Sequence, residues 1–179
     1  MFKTAEEAFQ KLQDHIAQTF RELPPIIGEE AVNFTIENFD AQGWQGDSFE
    51  PWQKRLNPNA WGKKDDPDRA ILIKTAKLKR SVRISRIVED AVYIHAGGAD
   101  VPYARAHNEG FSGTVEQNVK EHIRKTKNLK NVKVSAFKRT IQQNIPQRKF
   151  IGGQNESSQL RARIRNAAID HFKKRKNML

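Results

Sequence analysis

The hydrophobic period changes twice along this chain, and that change constrains the fold more than any single motif. Apolar residues recur at three- and four-residue steps near both ends and alternate in between. Over residues 4–22, Ala5, Phe9, Leu12, Ile16 and Phe20 fall on one helical face. Thr4 followed by Glu6 and Glu7 suits the start of that helix. Pro24-Pro25 is predicted to end it, because neither ring nitrogen can donate a backbone hydrogen bond. A second helix is predicted from Gly28 to Asp40, with Val32, Ile36 and Phe39 on its apolar face and Phe34 beside them. Near the other end, Ser157 or Ser158 can act as N-cap for a helix striped by Leu160, Ile164, Ala168 and Phe172. Its basic tail, Lys173-Lys174-Arg175-Lys176, complements the negative end of a helix.

Between these helices the pattern is that of strands. Val82, Ile84 and then Ala91 to His95 read as two strands with Glu89-Asp90 at the turn. Before them, Ile71-Leu72-Ile73 opens a short segment around Leu78; after them, residues 96–100 form a loop. Tyr103 to Asn108 reads as one or two helical turns closed by Gly110. Val115, Val119 and Ile123 fit a helix or one face of a strand equally well. The alternation of Val132 to Phe137 favours a long basic β-hairpin over 114–140, with its tip near Lys127-Asn128. Ile145 to Phe150 is expected to be extended, since Pro146 turns the preceding residue away from helix.

The resulting expectation is an α+β fold: an antiparallel sheet of about four strands, including the basic hairpin, packed with N-terminal and C-terminal helices. The 179 residues fit one domain. Its parts are a helical stretch (1–40), an aromatic-rich loop (41–70), a region of sheet, short helix and hairpin (71–153), and a C-terminal helix (154–179). Trp44, Phe49, Trp52 and Trp61 in the loop can pin it to a core or serve as stacking platforms for bases, and the lack of alternating Arg and Lys around them favours the first.

Composition excludes several chemistries. With no cysteine there is no disulfide, thiolate metal site or cysteine nucleophile. The five histidines make no zinc-binding spacing, and Asp65, Asp66 and Asp68 lack the glycine and terminal glutamate of a calcium loop. There is no nucleophile elbow, P-loop or dinucleotide fingerprint, so no catalytic residue, metal or cofactor is assigned. No apolar run approaches the roughly 18 residues of a membrane span, and the first residues lack signal-peptide order. The expectation is a protein made in the cytoplasm with no membrane partner.

Charge is unevenly placed. Residues 1–70 hold 8 basic and 13 acidic side chains, whereas 114–150 hold 10 basic and 2 acidic. Opposite ends of this kind can meet head-to-tail between copies. The interaction candidates are the hairpin cations Lys120, Arg124, Lys125, Lys127, Lys130, Lys133, Lys138 and Arg139. The same cations allow a second reading, a nucleic-acid-binding protein using residues 114–179, although few aromatics interleave with them. The candidate structural anchors are Phe34, Trp52, Leu78, Tyr103, Arg148 and Phe150.

Five stretches, in order, carry a family resemblance: Asn33-Phe34 to Phe39; Phe49-Glu50-Pro51-Trp52; Ile71 to Val82; Tyr103 to Gly110; and Ile145 to Gly152. Together they resemble the phage virion morphogenesis proteins, also called tail completion proteins, of contractile-tailed phages and prophages. The match spans about residues 30–175. Two positions depart from the family pattern. Ala76 stands where glycine is usual, and Lys149 where proline is frequent. The resemblance implies a non-enzymatic virion protein at the head–tail junction, related to small neck proteins that assemble as rings, commonly hexameric. Its implied partners are other copies of itself, portal or neck proteins, and tail tube or tail terminator proteins, with weak contact to genome DNA. The implied location is the virion, after assembly in the host cytoplasm.

Overall fold

The structure is a computed structural model that describes residues 4–55, 66, 68–89, 91–125 and 130–176. Its first element corrects the sequence reading. A single helix, α1, runs from Ala5 to Ala41 with Pro24 and Pro25 inside it. Thr4 caps it, its Oγ1 accepting from the Glu7 amide at 3.2 Å. The two prolines remove the donors that Phe20 and Arg21 carbonyls would use, but their fixed φ is itself helical. Burial of Leu23, Phe34 and Phe39 just before and beyond them carries the helix through.

The 41–70 stretch, expected to be irregular, contains a small hairpin: β1 (Gly43–Gln45) paired antiparallel with β2 (Phe49–Pro51). Trp61 and the Lys63–Asp68 turn fall largely outside the described residues. A four-residue helix, α2 (Lys77–Arg80), carries Leu78 into the core. Next come β3 (Arg83–Val88) and β4 (Ala91–His95), antiparallel as the alternation predicts, and then α3 (Ala104–Glu109). Gly110 closes α3 with a φ of 78°, a left-handed value that suits glycine.

The hairpin is longer than its predicted bounds. β5 (Phe111–Val119) pairs in full with β8 (Phe137–Ile145), and β6 (His122–Lys125) continues the ribbon against β7 (Asn131–Val134). Its tip, Lys127-Asn128, lies outside the described residues. Last comes α4 (Ser158–Lys176), and Ser157 is its N-cap, accepting from the Leu160 amide at 3.0 Å.

The class is α+β, but the described strands form four two-stranded ladders rather than one four-stranded sheet. The turn through α3 carries the chain off before β5 begins, so β5 pairs with β8 instead of β4. The body is assembled on the second half of α1. One face meets β3–β4, so closely at Gly28 that a Cβ there would sit 2.5 Å from Ile84 Cδ1. α4 packs antiparallel along α1: Leu160 lies with Phe34 and Trp44, and Phe172 meets Phe20 edge-on. Arg163 pairs with Glu30 at 3.2 Å and with Glu37, and Arg175 reaches Glu22 at 3.5 Å. The main core joins Phe39, Trp52, Leu78, Val82, Val101, Ala104 and Phe150.

Candidate functional site

Two kinds of residue emerge, those that lock the body and those that the body presents. The lock centres on the extended segment 148–151. Phe150 is fully buried, its ring 4.9 Å from that of Phe39. Its backbone is held from both sides: Asn108 Oδ1 accepts from the amides of Phe150 and Ile151 at 3.0 Å, and Asn38 Nδ2 donates to the Phe150 carbonyl at 3.1 Å. Trp52 Nε1 donates to the Lys149 carbonyl at 2.7 Å. The Arg148 amide donates to the His107 carbonyl at 2.7 Å, and its Nε to the Gln53 carbonyl at 3.1 Å. Burial and the nearby Arg55 cation lower the Arg148 pKa, but a guanidinium so placed stays charged. Lys149 lies over the Trp44 ring at 4.8 Å and pairs with Glu156 at 2.7 Å. That pair, with the Gly153 amide, holds the Glu156 carboxyl below the usual range.

Of the six anchor candidates, Phe34, Trp52, Leu78, Arg148 and Phe150 are buried. Tyr103 corrects the reading: it is 39% exposed, edge-on to His107, and the next residue, Ala104, takes the buried place. Sequence reasoning assigned no role to Asn38 or Asn108. Asn38 is wholly buried in a helix interior, where asparagine is a poor helix former, and that mismatch beside Phe39 was the available signal.

The presented residues lie on two surfaces. The ribbon's Lys120, Arg124, Lys125, Lys130, Lys133, Lys138 and Arg139 are all exposed; Lys127 lies outside the described residues. Lys133 pairs with Glu121 at 3.1 Å and Arg139 Nε donates to Gln117 Oε1 at 2.8 Å. The second surface is unexpected. The stripe Phe9, Leu12, Ile16 and Phe20 does not enter the core but stays 41–61% exposed, because among the described residues α4 runs only one turn beyond Phe172, which meets Phe20. The stripe runs at Phe20 into an open apolar groove of about 610 Å³ lined by Pro24, Ile27, Val92, Ile94 and Ile164.

Among the described residues no group of three possible metal ligands gathers, and no helix is long and apolar enough to cross a membrane. What the molecule offers is a locked body with two exposed surfaces. The phage virion morphogenesis family model matches residues 1–173. The chain belongs to the phage virion morphogenesis family. Comparison with curated proteins and with solved structures gives no significant match. Membership in this family assigns the chain a part in assembling the phage particle.

Proposed function

We propose that this virion morphogenesis protein works at the head–tail junction, completing the tail and joining it to the head as a ring of copies, hexameric like the neck proteins its sequence resembles. It acts by binding, without catalysis. The observation that carries this is the match over nearly the whole chain, residues 1–173. A rigid body with one apolar and one basic surface suits a joining piece, which must hold neighbours in fixed orientation. Its neighbours are portal or neck proteins on one side and tail tube or tail terminator proteins on the other. A phage lacking the gene should accumulate DNA-filled heads and separate tails, and adding back the purified protein should restore joined particles. Joined, infectious particles formed without it would overturn the proposal.

The ribbon's cations favour a second reading, that this chain binds duplex DNA directly. Affinity then falls steeply with salt, with a log–log slope near −0.9 per phosphate neutralised. Binding that vanishes at physiological salt leaves the joining role in place; tight binding there replaces it.

A further inference from the structure

The two exposed surfaces are complementary. One face of the ribbon carries the cross-strand pairs Phe111–Ile145, Val115–Ile141 and Val119–Phe137, with Gly113–Gln143 and Gln117–Arg139 between them. Those residues meet mainly one another across the ladder, and Phe111 and Phe137 stay 38% and 46% exposed. Among the described residues, nothing of the same copy covers the helix stripe. A β-ribbon face of nine residues spans about 27 Å and the stripe from Phe9 to Phe20 about 16 Å, so the ribbon can cover the whole stripe. The two segments carry opposite net charge. Residues 4–22 hold Glu6, Glu7, Asp14 and Glu22 against Lys11 and Arg21, whereas residues 111–145 hold eight cations against Glu116 and Glu121.

We infer that the ribbon of one copy lies along the exposed first half of α1 of the next copy. Apolar rows supply the contact area, and the opposite net charges of the two segments fix its direction. Like surfaces would bring the cation-rich ribbons together, so the contact is heterologous. Each copy keeps a free ribbon at one end and a free helix at the other, and the chain of contacts closes into a ring. This rests on the reading that copies assemble with one another, not on their place in the particle.

The absence of cysteine makes the test direct. Gln13→Cys beside the stripe and Ser135→Cys beside Phe137 are made in separate full-length chains, mixed, and treated with a short bis-maleimide, both in solution and in assembled particles. The expected product is a dimer that requires both variants. Dimers formed by each variant alone, with none specific to the mixture, would overturn the inference. A charge exchange gives an independent readout. Glu6→Lys with Gln13→Lys, or Lys120→Glu with Arg139→Glu, should each abolish oligomers by native mass measurement while leaving circular dichroism unchanged. All four together in one chain should restore them. Oligomers that survive either pair refute the helix–ribbon contact while leaving copy–copy assembly standing. A chain that stays monomeric in solution and in particles refutes both.

Discussion

At the scale of single residues, strain and burial separate sharply. Ala76 adopts φ 53°, a left-handed conformation that costs an L-residue about 1–2 kcal/mol and glycine almost nothing. Ala76→Gly should raise stability by up to about 1 kcal/mol, the relief of strain less glycine's greater unfolded-state entropy, as read by urea denaturation. Phe150→Ala should cost about 3–5 kcal/mol and lower the thermal midpoint on the order of 10 °C, because Phe39 and the two asparagine clamps hold the cavity open. His107 sets a pH limit. Its burial, helped by the Arg148 cation, lowers the imidazole pKa from 6.5. The unfolded chain therefore binds more protons below pH 6.5, so stability is full above that value and falls as pH drops through it. His107→Gln should lessen the loss of stability as pH drops below 6.5, as read by urea denaturation across that range. The clamps were not legible in the sequence, because Asn38 and Phe150 stand 112 positions apart and only the folded chain brings them together.

At the scale of elements, the sequence revealed periodicity better than it revealed burial. Alternation located β3, β4 and the ribbon, and the serine at 157 located the start of α4, because each is a local signal. The Pro24-Pro25 pair misled, since the helix-ending rule is a local preference and the packing of α1 against β3–β4 and α4 is not local. The stripe from Phe9 to Phe20 misled in another way: helical period shows which residues share a face, not what covers it. The ribbon packs chiefly on itself, so deleting residues 120–133 should leave a folded body with an unchanged thermal midpoint whose oligomers form more slowly, because the deletion removes six of the ribbon's eight cations and leaves the β5–β8 apolar face in place. Outright unfolding, seen as loss of the helical circular dichroism signal, would place the distal ribbon in the core.

At the scale of the whole molecule, charge and apolar surface play different parts. Acidic and basic ends steer encounter, and apolar rows hold what has met. The Debye length falls from about 10 Å at 0.1 M salt to about 3 Å at 1 M. Oligomer formation followed by light scattering should therefore slow as salt rises through that range, while oligomers already formed persist. Mechanics adds a last consequence. The adjacent prolines leave two carbonyls of α1 without their helical donors, at the level where α4 ends. The helix is softest at that turn, which makes its first half a lever on a compliant joint. Phe9 lies about 22 Å along the axis from Pro24, so a swing of about 10° carries it roughly 4 Å. Copies joined through that lever would share an elastic circumference, able to take up misfit between the parts they connect.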